Sequence, residues 1–320
     1  MGGPGRMGWD RHGRAGTAGA VGLQGRCRRG QTAPMDIGVI FPQAEAGGDR
    51  GAVRAIGQAA ADLGYTHLAA YDHVLGGDTA VLGDLGGPYT IDTTFREPLL
   101  MFAYLAGFTD LAFATSILIG PQRQTALLAK QAAELDLLCG GRFRLGLGIG
   151  WNKLEYDALG VPFEERAAIL EEQVVVLRAL WTEWSVTIDG RYHHIRASGI
   201  APPPLQRPIP IWIGGHAPAA LRRVGRIADG WFPMVRPGGG LDAALEHIHQ
   251  GAAEVGRDLS NLQFEGRLEY SVRDHDKIAE HARRWQEAGA THLSLNTMHA
   301  DLPTTDAHIA ALTEMAEVLL

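Results

Sequence analysis

The sequence predicts an α/β chain closed into a (β/α)8 TIM barrel, and three observations carry that prediction. From Met35 onward, short strand-like runs alternate with helical patterns eight times. One of these runs, 142–149, sets Phe143, Leu145, Leu147 and Ile149 against small residues at Gly146, Gly148 and Gly150. A strand with glycine along one face has something packed close to its backbone, either the next layer of a closed barrel or a flat ligand. The first strand runs into Phe41-Pro42-Gln43-Ala44, not the Gly-x-Gly-x-x-Gly turn that the runner-up, a doubly wound sheet, would favour there.

The elements follow in order. Strands are expected at 37–41 and 67–71, separated by a helix over 50–63 that stops at Gly64. A long Gly-rich loop over 74–95 precedes a helix that starts near Glu97-Pro98, where proline is tolerated in the first turn, and ends by Gly107. A third strand covers 111–118, and a helix over 125–138 stops at Gly140-Gly141 before the glycine-faced strand. The spacing then breaks. Residues 151–208 read as an insertion on the barrel's C-terminal side, with a long amphipathic helix at 163–184 and an Asp189-Gly190 hairpin within 186–195. Strands at 209–213, 230–234, 263–270 and 292–296 alternate with helices at 218–227, 241–256, 277–288 and 308–319.

Bulk composition narrows the function. The chain has 320 residues, 46% hydrophobic and 20% charged, which suits one large domain with a sizeable core. A net charge of −7 argues against general nucleic-acid binding. Two cysteines, Cys27 and Cys139, leave no disulfide framework and fit a reducing cytosol. No apolar run is long enough to span a membrane. Residues 1–34 carry six arginines against the single acid Asp10 and lack periodicity, so they read as a disordered leader. The Arg28-Arg29 pair has no apolar region after it, which argues against twin-arginine export. Met35 is the expected biological start, which intact mass of the natively expressed protein tests; domain 35–320 is then the folded unit.

Four stretches, taken as an ordered set, resemble the luciferase-like monooxygenase superfamily, flavin or deazaflavin enzymes on a TIM barrel. They are Leu135-Asp136 through Cys139-Gly140-Gly141-Arg142 into Gly146-x-Gly148-x-Gly150-Trp151-Asn152; Glu155-Tyr156 with Leu159-Gly160-Val161; Pro208 to Gly215; and Ala228-Asp229-Gly230-Trp231. The Gly150-Trp151-Asn152 turn and Trp181-Thr182-Glu183 look most like the actinobacterial branch that uses coenzyme F420. The family usually has serine where Cys139 stands, a near-isosteric departure.

Barrel chemistry gathers at strand C-termini. His73, after Asp72, is the candidate catalytic residue: the resemblance implies a histidine facing the cofactor's reactive face, and imidazole titrates near neutrality. The plain alternative is a histidine bonded to its own loop. Asp72 is expected to orient the loop. At Thr115, Ser116 and Ile117 the resemblance implies a bulge, often with a non-proline cis peptide, pressing on the deazaflavin; a regular barrel strand is the equal alternative. Gly148, Gly150, Trp151 and Asn152 are expected to flank the ring or its tail. Gly214, Gly215, His216 and Ala217 precede a helix N-terminus and would cradle the cofactor phosphate, with Arg222 as an added cation. Glu155 reads as a helix cap in preference to a substrate contact. His193 and His194 are adjacent on a strand and point to opposite faces, so no metal site is expected there.

The resemblance implies a cytoplasmic F420-dependent oxidoreductase that moves a hydride between deazaflavin C5 and a small organic substrate, and a homodimer. An FMN-dependent monooxygenase on the same fold is the first rival, and a non-catalytic flavin-binding barrel the second. Substrate is expected against the 74–95 loop, whose Val81, Leu82, Leu85, Tyr89 and Phe95 hint at an apolar or ring-bearing molecule, and against the 151–208 insertion.

Overall fold

Eight parallel strands close on themselves, each hydrogen-bonded to two neighbours. They are β1 (Asp36–Ile40), β2 (His67–Ala70), β3 (Ala112–Thr115) with its short continuation β4 (Leu118–Ile119), and β5 (Phe143–Gly148). A two-stranded antiparallel hairpin, β6 (Val186–Asp189) and β7 (His194–Ser198), stands outside the barrel. Then come β8 (Ile211–Gly214), β9 (Gly230–Phe232), β10 (Gln263–Glu269) and β11 (His292–Asn296). Pairing of β1 with β11 and of β3 with β5 shuts the ring. This computed structural model describes residues 35–84 and 86–320. The expected leader over 1–34 and the reading of Leu85 as a substrate contact lie outside the described residues. None of the described helices is long and apolar enough to cross a membrane.

The helices are α1 (Gln43–Ala46), α2 (Ala52–Asp62), α3 (Thr79–Leu82), α4 (Pro98–Ala106), α5 (Thr125–Leu138), α6 (Lys153–Ala158), α7 (Arg166–Thr182), α8 (Pro218–Ile227), α9 (Gly239–Glu254), α10 (His275–Glu287) and α11 (Thr305–Leu319). Their starts follow local chemistry. Asp78, Glu97, Asn152, Asp274 and Thr304 each cap a helix by accepting from a first-turn N–H.

One expectation changes in detail. Helix α7 is not part of an insertion: it packs on α5, and Trp181 Nε1 donates to Ala129 O at 3.0 Å. It is therefore the outer helix that follows the fourth barrel strand. The added material is α6 and the hairpin, whose turn is pinned by Glu172 of α7. That carboxylate accepts from the N–H groups of Arg191, Tyr192 and His193. The two histidines part company, His193 to Glu172 and His194 to Asp189, and no grouping suited to a metal occurs among the described residues.

Two apolar clusters result from the alternation of the strands. The larger lies between barrel and helices. The smaller lies inside the barrel and is made by Ile40, Ala69, Ala114, Trp212, Phe232 and Met298. The glycine face of β5 points inward. A side chain at Gly146 would strike Thr115 O and the Phe232 ring, and one at Gly148 would strike Ile117 at 2.4 Å. The close neighbour inferred from the sequence is thus the barrel's own interior layer.

Below that layer the barrel is closed by buried ions. Arg144 Nη2 lies 2.9 Å from Glu265 Oε2, and His67 Nε2 lies 3.3 Å from Glu265 Oε1, which also accepts from Ser294 Oγ. The Arg144 guanidinium stacks 4.5 Å over the Trp212 ring. Burial alone would push the Glu265 carboxyl up, but His67, Arg144 and Ser294 outweigh it and hold it well below the usual range. Burial, then the positive charge of Arg144, push His292 beside them down to about 3.

Candidate active site

The strand C-termini open into a cavity of about 380 Å³ with a mostly apolar wall, a size typical of small-molecule sites. Its floor is Glu265 and Ser294 of the buried ion layer, and His73, Trp151 and Tyr89 stand at one side.

His73 is held by a carboxylate that sequence reasoning assigned elsewhere. Glu155 does not cap a helix; it lies inside α6, 1% exposed, and Asn152 performs the capping. Both Glu155 oxygens lie 3.2 Å from His73 Nδ1. The same carboxylate accepts from Val74 N at 2.6 Å and Leu75 N at 3.0 Å. Burial would raise its pKa, yet the hydrogen bonds from His73, Leu75 and Val74 hold it below the ordinary value. A carboxylate only accepts, so Nδ1 carries the proton and Nε2 is the free nitrogen. Nε2 has no partner among the described residues, and the ring forms part of the cavity wall. Aromatic rings frame it: Phe95 at 4.8 Å, Tyr89 at 4.9 Å and Trp151 at 5.7 Å between centroids.

Asp72 was expected to orient its own loop, but its carboxylate holds the segment that follows β3, and Glu155 holds the loop. Asp72 accepts from Ile119 N at 3.0 Å and pairs with Arg123 at 2.7 Å. This anchors the break between β3 and β4, where the Ser116–Ile117 peptide is cis. Ser116 and Ile117 line the cavity; Thr115 does not, because its hydroxyl turns outward to Gly146 O at 2.7 Å. Ile117 sits against both Gly148 and Gly214, which explains those glycines: a side chain at either would collide with it.

Gly148, Gly150, Trp151, Gly214, Gly215 and His216 all line the cavity. Four of the expected site residues do not. Besides Thr115, Asn152 is 4% exposed and spends its amide on the α6 cap and on Leu75 O at 3.2 Å. Ala217 is the N-cap position of α8 and carries no side chain able to reach the cavity. Arg222 faces away, toward Glu254 and Gln250 on α9, because its turn of α8 lies on the α8–α9 seam. Arg223 is buried on the other side against Glu171 at 2.9 Å, so neither arginine serves an anion in the cavity. The N–H groups of Gly215, His216 and Ala217 remain without partners among the described residues.

The 74–95 loop is only partly a substrate wall. Tyr89 lines the cavity, but Val81 and Leu82 face solvent at 77% and 52% exposure. Of the 151–208 segment, only Trp151 reaches the cavity. Gly87 lies flat on the Trp151 indole, where any side chain would collide at 2.1 Å.

The family model of the luciferase-like monooxygenases matches residues 35–317, so the chain belongs to that family. An uncharacterized protein of Mycobacterium tuberculosis is 37% identical over 183 residues, covering 53% of this chain and 62% of that one. An FMNH2-dependent dimethylsulfone monooxygenase of Pseudomonas putida is 33% identical over 172 residues, covering 52% of this chain and 47% of the relative. The matched part thus spans about half to 62% of these relatives' own length. Among solved structures, an F420-dependent secondary alcohol dehydrogenase superposes with a TM-score of 0.73 at 17% identity, over 89% of this chain and 98% of that one. At that identity the likeness is one of fold.

Proposed function

We propose that this member of the luciferase-like monooxygenase family is a coenzyme F420-dependent oxidoreductase that transfers a hydride between deazaflavin C5 and a small organic substrate. The observation that carries the reading is His73, whose Nδ1 is fixed by buried Glu155 while Nε2 is left to an apolar cavity.

The residues present suit a flat cofactor. Ile117, backed by Gly148 and Gly214, offers an apolar platform, and Trp151, Tyr89 and Phe232 keep water from its sides. The free N–H groups of Gly215 and His216, ahead of the α8 N-terminus, suit an anionic tail. Bound deazaflavin supplies two-electron hydride chemistry. The chain supplies the proton path. With Nδ1–H donated to Glu155, Nε2 is the basic nitrogen; it takes the hydroxyl proton when an alcohol is oxidised and returns it when a carbonyl is reduced. Glu155 stabilises the imidazolium that forms on oxidation and that is consumed on reduction.

An FMN-dependent monooxygenase is the second reading, supported by the 33% identity to the dimethylsulfone monooxygenase. The test is anaerobic mixing of enzyme, F420 and a panel of secondary alcohols, followed by deazaflavin absorbance, beside oxygen uptake with reduced FMN. Loss of the oxidised deazaflavin band is expected. Oxygen uptake with reduced FMN and no change with F420 would overturn the proposal in favour of the second reading.

A further inference from the structure

Arg267 is the single arginine or lysine among the described residues that lines the cavity. It rises from β10 with its side chain about half exposed, and it is not a loose surface cation. Nε lies 2.6 Å from Glu269 Oε1, and Nη1 donates to Tyr71 Oη at 3.3 Å. Glu269 is itself fixed, because its other oxygen accepts from Asn296 Nδ2 at 2.7 Å. The guanidinium is therefore held along one edge and by one corner, and Nη2 has no partner among the described residues.

Tyr71 completes the arrangement. A guanidinium only donates, so the Tyr71 oxygen is the acceptor in that contact and its own proton is left over. Burial pushes the phenol up to about 12, which keeps that proton on oxygen throughout the neutral range. Tyr71 lines the cavity two residues before His73 on the same strand end. Two donors, a charged N–H and a phenolic O–H, are thus fixed side by side with no acceptor between them. Asp72 and Glu265 are matched by Arg123 and Arg144, and Glu269 engages only the Nε of Arg267, which leaves the Nη2 donor open.

We propose that Arg267 and Tyr71 form an oxyanion receptor, and that the substrate reacting beside His73 carries a carboxylate or an equivalent oxygen anion. This rests on reading the cavity as the cofactor and substrate site. A carboxylate satisfies both donors at once, and paired charge-assisted hydrogen bonds are the geometry arginine favours. A cofactor phosphate would offer the same chemistry. The unpartnered Gly215 and His216 N–H groups stand on β8, away from Tyr71, and suit that phosphate better.

The test is calorimetric titration with benzoate and its neutral isostere benzamide, on the unsubstituted protein, Arg267→Met, Arg267→Lys and Tyr71→Phe. F420, FMN and riboflavin are titrated in parallel. The unsubstituted protein is expected to prefer benzoate by about tenfold or more, the scale of a charged hydrogen bond. Arg267→Met abolishes the preference. Arg267→Lys keeps the charge without the fork and retains part of it, which separates recognition from misfolding. An unchanged FMN-to-riboflavin ratio in Arg267→Met assigns the anion to the substrate. A collapse of that ratio keeps the receptor but overturns the acidic-substrate assignment. Equal benzoate preference and equal flavin ratios in Arg267→Met and the unsubstituted protein overturn the receptor. Failure of F420 and FMN to bind, with benzoate preference intact, refutes the cofactor reading and leaves the receptor standing.

Discussion

Two histidine–glutamate pairs sit at opposite ends of one barrel with nearly the same separation, and they differ in what the second ring nitrogen meets. At the floor, His67 Nε2 lies 3.3 Å from Glu265, and its Nδ1 is taken up by Thr66 Oγ1 at 3.0 Å. At the mouth, His73 Nδ1 lies 3.2 Å from Glu155, and its Nε2 meets no partner among the described residues. The floor pair is closed further by Arg144 and Ser294, so both ring nitrogens of His67 are taken up inside the protein and the layer acts as a plug. The mouth pair leaves one nitrogen to the cavity. Residue type and distance do not separate a histidine closed off inside the protein from one left available to the cavity; the second nitrogen does.

The comparison can be broken from the floor upward. The largest expected effect is on stability. Glu265→Ala leaves Arg144 buried and unpaired, and unfolding free energy is expected to fall by about 3–5 kcal/mol, measured by urea denaturation. A loss under about 1 kcal/mol would mean that the layer is solvated and not a plug. The same carboxylate sets an acid limit. Its folded pKa is depressed, so its contribution is full above the unfolded value near about 4.3 and is lost as pH falls below it. The urea midpoint of the unsubstituted protein should drop below about pH 4 more steeply than that of Glu265→Ala.

At the mouth, His73→Ala is expected to lower turnover by about 10²–10⁴-fold. It should change the unfolding free energy by no more than about 1 kcal/mol. Steady-state kinetics and the urea midpoint read the two halves of that statement. Glu155→Gln is expected to act through His73. The amide oxygen can still accept from Val74 and Leu75, but the anion that fixes the Nδ1–H tautomer is gone. A kcat loss of about 10²-fold with KM little changed is the expected split. A KM effect alone would mean that Glu155 serves only the loop. The smallest effect belongs to Arg222→Ala: cofactor affinity should move less than about twofold, and stability by about 0.5 kcal/mol or less, because its contacts are on the half-exposed α8–α9 seam.

The fold was legible wherever signals are local. The helices over 125–138 and 218–227 and the strand over 292–296 emerge with the bounds that periodicity, proline and glycine indicate. At Thr115-Ser116-Ile117 a bulge implied by the resemblance and a regular strand stand as equal alternatives, because nothing in the residues themselves marks the break between β3 and β4. The site was legible only in part, for the same reason. His73 is marked by its place after a strand, and Gly148 and Gly214 by their alternation. Glu155 stands 82 positions from His73, and a carboxylate near a turn looks like a cap until α6 is folded against the strand end. Arg144 and Glu265 are paired across the barrel from two strands far apart in sequence, and period-two alternation says only that both face inward. Arg222 illustrates the reverse error. A cation in the first turns of a helix suggests an anion site, but the close α8–α9 packing at Gly225 and Gly251 decides which way it turns.

The measurement that bears most directly on the account is a side-by-side titration of the protein with F420 and FMN by fluorescence quenching. Selective binding of F420, in the micromolar range common to such sites, is the predicted result. Selective binding of FMN would contradict it and move the chemistry at His73 to oxygen.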